Sequence, residues 1–191
     1  MTSHEVLRVT RLSFDNQAAI TTALVRRAWP RSGEIITVAH DSKSVDQAQT
    51  ERDLAALVTR FFAAVSFEPG SRPDYEAIRT LFIDEGILVR NISDIPDVSN
   101  LDGFIRPRQA MVDSGQLTEF FEAERTNVTE VFGKVAHRFS VYEKRGVTNG
   151  VAAEALGMVS TQFIMTPAGW RISAMVWDDE GPGQVIPDRY R

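Results

Sequence analysis

Apolar residues recur at three- and four-residue spacing from Thr50 onward, where Leu54, Leu57, Val58, Phe61, Phe62 and Val65 would share one side of a helix. Thr50 followed by Asp53 resembles a capping box, and Pro69 and Gly70 predict an end near Phe67. Pro73, then Tyr75, Ile78, Leu81 and Phe82, predicts a second, short amphipathic helix. Gly86 hands over to Ile87, Leu88 and Val89, which read as a short buried strand. Residues 91–102 are polar around isolated Ile92, Ile95 and Val98, a loop placed to rim a cavity.

Pro107 opens a third helical pattern with Ala110 and Met111; Gly115 interrupts it, and Leu117, Phe120 and Phe121 resume an apolar side, which predicts a broken or kinked helix. Beyond it the period falls to two. Val128 to Tyr142, in two phases around Gly133, Val151 to Met165, and Trp170 to Trp177 read as long strands joined by the turn sequences KRGVTNG and TPAG. Such strands form an antiparallel meander, with Gly133 and Gly157 at bends. Helices first and strands last predict an α+β domain over 49–182, its N-terminal helices packed in a strongly curved antiparallel sheet around a hollow. Residues 1–48 are less periodic and are broken by Pro30 and Gly33; they read as an N-terminal extension packed on the main domain or on a partner. Residues 183–191 read as a surface tail.

Charge narrows the partners. Twenty-one basic against 26 acidic residues give a net charge of -5, without the attraction to phosphate backbones on which nucleic-acid binding depends. The absence of cysteine excludes disulfides, thiolate nucleophiles and thiolate metal sites. No apolar run approaches the roughly 20 residues of a membrane span, and MTSHEVLRVTRLSF carries charge where a secretory signal has its apolar stretch, so a cytoplasmic location without membrane contact is expected. His4, His40 and His137 are scattered and no glycine-rich phosphate fingerprint is present, so neither metal nor cofactor is expected.

Among side chains able to carry chemistry, His137 titrates near neutrality and shares strand parity with Val135, Phe139 and Val141, which places it inside as an acid or base or as a satisfied core histidine. Arg138, of opposite parity, is expected to be exposed or paired across a subunit contact. The Tyr75 hydroxyl is a candidate oxyanion donor, and Asp84 a candidate carboxylate that could equally brace its turn. Phe61, Phe82, Gln162, Met175 and Trp177 are the candidate ligand contacts.

The strings DYEAIRTLFIDEGILV at 74–89, KVAHRFSVYEKR at 134–145, MVSTQF at 158–163 and GWRISAMVWDDE at 169–180 resemble the NTF2-like superfamily, within it the SnoaL-like or polyketide-cyclase-like group. The resemblance implies a cone-shaped fold and a cavity. It leaves function open, since such relatives include isomerases, dehydratases, epoxide hydrolases, oxygenase small subunits and proteins without catalysis. The general base of the isomerase relatives would fall within Leu88 to Asn91, and those positions hold no carboxylate. The expectation is therefore a homodimerising module whose cavity takes a small, partly apolar organic molecule. The alternatives are a cofactor-free isomerase, lyase or hydrolase using His137 with Tyr75 and Asp84, and a small subunit or other protein-partner module.

Overall fold

The structure, a computed structural model, describes residues 47–191. The 1–48 extension, with His4 and His40, lies outside the described residues except for its last two positions. Helix α1, Gln47–Val65, buries Leu54, Leu57, Val58, Phe61, Phe62 and Val65, the stripe that its periodicity specifies. A 3-10 helix follows at Tyr75–Thr80, where the Asp74 carboxylate accepts from the Ala77 N–H and Tyr75 and Ile78 turn inward.

Strand β1 is Phe82–Arg90 and β2 is Asp97–Asn100, the latter within the stretch expected to be loop. Asn100 caps helix α2, Leu101–Asp113, by accepting from the Gly103 N–H at 2.9 Å. The third helix thus begins before Pro107 and carries that proline inside it. It does not resume after Gly115. Leu117–Phe132 is instead the 16-residue strand β3, followed by β4, Val135–Thr148, β5, Val151–Thr166, and β6, Gly169–Asp179. The β4–β5 hairpin turns on Asn149 and Gly150, both at positive φ, as the tight turn of a right-twisted hairpin requires.

The expected cone of strongly curved antiparallel strands is corrected. The six strands lie in the order β2-β1-β6-β5-β4-β3, an open sheet whose edges, β2 and β3, do not meet. The sheet is also mixed, because β1 runs parallel to β6 while every other pairing is antiparallel. The meander leaves one side of β6 free, and the early strand fills it. At the other edge Phe67 takes part of the outer side of β3, exchanging backbone hydrogen bonds with Phe120 at 2.7 and 3.0 Å.

The helices cover one face of this sheet, and the core between them includes Leu54, Phe61, Leu81, Tyr142, Phe163 and Ile172. On the opposite face the chain after β6 is tied down. The Glu180 carboxylate accepts from the Ile186 N–H and from Arg191, and Tyr190 meets the Phe139 ring edge-on. No helix among the described residues is long and apolar enough to cross a membrane.

Candidate functional site

A cavity of about 660 Å³ lies between the helices and the sheet. Its apolar wall includes Phe61 and Phe62 from α1, Phe104 and Met111 from α2, and Met175 and Trp177 from β6. The indole of Trp177 stands edge-on to Phe104, with ring centroids 6.1 Å apart.

Strand parity determines which polar groups enter this hollow. Glu122 on β3 is directly opposite Lys144 on β4, and Tyr142 lies on the same side two positions back. On β6 the register slips by one residue between the pairs Gln162–Ala174 and Phe163–Ile172. This bulge changes the inward set from Trp170 and Ile172 to Met175, Trp177 and Asp179. A carboxylate at the end of β6 therefore meets the Glu122–Lys144 pair.

Asp179 is fully engaged. Its Oδ1 accepts from the Tyr142 hydroxyl at 2.5 Å and its Oδ2 from the Lys144 ammonium at 2.7 Å. Tyr142 reaches it across Gly157, where a Cβ would collide with the tyrosine hydroxyl. Burial, reinforced by the Asp179 carboxylate, pushes the Tyr142 phenol far above its ordinary range. Glu122 has no such partners: among the described residues its carboxylate accepts no hydrogen bond and forms no ion pair, although its backbone N–H and carbonyl both meet the Ser66 hydroxyl. Burial raises the Glu122 carboxyl to about 7; Lys144 and Arg108 pull it down and Asp179 pushes it up. Glu122 is half-buried and lines the hollow.

The opposite wall holds Tyr75 and Arg108. Burial pushes the Tyr75 phenol up to about 12, opposed by the Arg108 charge. Arg108 lies 3.7 Å above the Phe104 ring and donates to the Phe104 carbonyl at 2.9 Å. Burial lowers its pKa.

Of the residues singled out from sequence, Tyr75, Phe61, Met175 and Trp177 line this cavity together. Phe82 is buried beside Phe61, with ring centroids 6.0 Å apart, behind the wall. Asp84 is exposed on β1. His137 and Gln162 pair across β4 and β5 on the other face of the sheet, where His137 Nε2 lies 3.1 Å from Ser160 Oγ and its ring stacks on Phe139. Arg138, expected to be exposed or at a subunit contact, is buried within the protomer, its guanidinium on Glu124 at 2.8 and 2.5 Å. The polar residues that the sequence reading missed are Glu122, Lys144, Asp179 and Arg108. The one available signal was Glu122 between Phe120 and Glu124 in a period-two run, hidden by the apolar spacing of Leu117, Phe120 and Phe121.

The arrangement has the NTF2-like fold. A nuclear transport factor 2 (NTF2-like) superfamily protein from Salmonella enterica superposes with a TM-score of 0.60 at 13% identity, over 73% of this chain and 96% of that one. An NTF2-like protein with a cystatin-like fold from Novosphingobium aromaticivorans gives 0.55 at 14% identity, over 72% and 88%. A ketosteroid isomerase-like protein from Erwinia carotovora atroseptica gives 0.51 at 16% identity, over 73% and 99%. No family model and no curated protein matches the sequence.

Proposed function

We propose that this chain is a cofactor-free acid–base catalyst acting on a small, partly apolar organic molecule, with Glu122 as the proton carrier. The observation that carries the reading is a carboxyl raised to about 7 by burial, free of hydrogen bonds among the described residues, on the wall of a 660 Å³ cavity. A module that only binds a ligand needs the hollow but not such a carboxyl.

In this reaction Glu122 takes a proton from the carbon beside a substrate carbonyl. The C–H electron pair becomes the C=C bond of an enolate, and the carbonyl electrons move to its oxygen. Lys144, which gives one N–H to Asp179, directs another to that oxygen. Where the substrate has a C=C bond beyond that carbon, the enolate is a dienolate and protonated Glu122 returns the proton to its far carbon as the carbonyl re-forms, an isomerisation. Where a hydroxyl stands on the next carbon, the enolate re-forms the carbonyl, the C–O bond breaks and the hydroxyl leaves as water with that proton, a dehydration. Asp179 and Tyr142 act as positioning residues for the ammonium. The SnoaL-like kinship of the quoted strings belongs to this proposal, as does a homodimer, for which exposed Phe132, Val135 and Val176 offer apolar surface.

The test is deuterium incorporation beside the carbonyl in a panel of aryl-substituted ketones and 2-oxo acids in heavy water. The expected result is exchange by the native protein, about a 100-fold loss in E122Q and native rates in H137Q. Native rates in E122Q, or a loss confined to H137Q, would refute it.

A further inference from the structure

The wall facing Glu122 carries two arginines that close no ion pair among the described residues, although Asp97 and Glu122 act on Arg108 from a distance. Arg108 gives a single side-chain N–H to a backbone carbonyl and forms no ion pair among the described residues. Arg90, from β1, lines the same cavity and forms none either. Their charges repel, since Arg90 lowers the Arg108 pKa. Asp97, opposite Arg90 in the β1–β2 register, acts on Arg108 in the other direction but closes no ion pair with either arginine. Tyr75, which lines the same cavity and interacts electrostatically with Arg108, is only 3% exposed, and its hydroxyl has no hydrogen-bond partner among the described residues.

A partly desolvated guanidinium without a counter-charge is costly, and an anion that enters with the ligand removes that cost. The planar fork of arginine suits an oxyanion bound through two oxygens. Asp179 and Glu122 line the same hollow, which disfavours a doubly charged guest over a singly charged one. The aromatic wall needs an apolar body.

We infer that the cavity binds an organic monocarboxylate, its carboxylate on Arg108 and Arg90 with the Tyr75 hydroxyl as a further donor, and its apolar body against Phe61, Phe104 and Trp177. This names the substrate class of the proposed reaction and rests on that reading only for which end of the molecule reacts: the carbon farther from the carboxylate, at Glu122.

The test measures binding of 3-phenylpropanoate, its methyl ester and phenyl phosphate by calorimetry, with melting curves to establish that each variant is folded. The acid should bind about tenfold more tightly than the ester. R108M should abolish that preference, R108K should keep part of it, and H137Q, on the other face of the sheet, should keep all of it. Should R108M fail to fold, R90M decides, with an expected loss of about threefold in the preference. Equal binding of acid and ester, an unchanged preference in folded R108M or R90M, tighter binding of phenyl phosphate, or no binding of the acid at about 10 mM would each overturn the inference. A preference that depends on Arg108 alongside full exchange activity in E122Q would remove the base and leave the carboxylate site. Loss of exchange in E122Q with no dependence on Arg108 would do the reverse.

Discussion

Glu122 and Glu124 stand two positions apart on β3 and face the same side of the sheet, yet they meet opposite conditions. Glu124 accepts two hydrogen bonds from Arg138, a third from Ser140 at 2.6 Å and a fourth from Asn127 at 3.3 Å, in a cluster where Arg138 is only 6% exposed. Glu122 looks into the hollow with no such donors and keeps its proton to about 7. A saturated carboxylate is structural, because every lone pair that could act on a guest already has a donor. An unsaturated one in a desolvated wall costs stability when charged and can take a proton from a ligand. The difference arises from what β4 supplies on that side: Arg138 and Ser140, further along the strand from Tyr142 that pairs with Glu124, reach back to one glutamate, whereas Lys144 opposite the other is held by Asp179.

The comparison breaks most severely at its paired end. E124A should destabilise the protein by about 3–5 kcal/mol, since it leaves the Arg138 charge buried and alone. Urea denaturation measures this, and a loss below 1 kcal/mol would mean the pair behaves like a surface one.

At the unpaired end the sign reverses. Folding raises the Glu122 pKa from the ordinary 4.5 to about 7, so the folded state retains a proton that the unfolded chain has released across that window. Stability from this group is therefore full below pH 4.5 and falls as pH rises through about 7. E122Q is always neutral and should match the native protein at low pH, then exceed it by up to about 3 kcal/mol above pH 7. Denaturation of both proteins across pH reads this directly, and parallel curves would contradict it. The exchange rate of the native protein, which needs the ionised base, should rise with pH and level off above about 7.

G157A tests the passage that lets Tyr142 reach Asp179. Its Cβ would stand 2.5 Å from the Asp178 carbonyl as well as against the tyrosine, so a loss of about 1–3 kcal/mol is expected, and Y142F should cost about 1 kcal/mol. G157A without effect on melting would show that the contact is relieved elsewhere. The smallest effect sharpens the electrostatics: K144M removes a charge that lowers the Glu122 pKa, so the midpoint of the pH–rate profile of whatever activity remains should move upward. A downward move would mean that Lys144 does not act on Glu122.

Much of the fold was legible. The stripe of α1, the Asn149–Gly150 turn and the strands on either side of it follow from local chemistry. Part of the cavity wall was legible too, in Phe61, Tyr75, Met175 and Trp177, but its charged groups were not, and the reasons are specific. Leu117, Phe120 and Phe121 fit helical spacing as well as a strand, so Glu122 had no readable parity. The bulge at Ser173 reverses alternation along β6, and nothing in ISAMVWDD announces it. His137 was placed inside because its neighbours are apolar, whereas the buried parity of β4 belongs to Ala136, Arg138, Ser140 and Tyr142. The parallel pairing of β1 with β6 joins residues distant in sequence, for which no local pattern exists.

The proposed chemistry depends on an ionisation in the neutral range at one glutamate, Glu122. Carbon-13 labelling of the glutamate carboxyls, followed by an NMR titration, should show a single resonance with a midpoint near 7 that disappears in E122Q. If every glutamate titrates close to its ordinary value of 4.5, Glu122 is no proton carrier at neutral pH and the proposed chemistry fails.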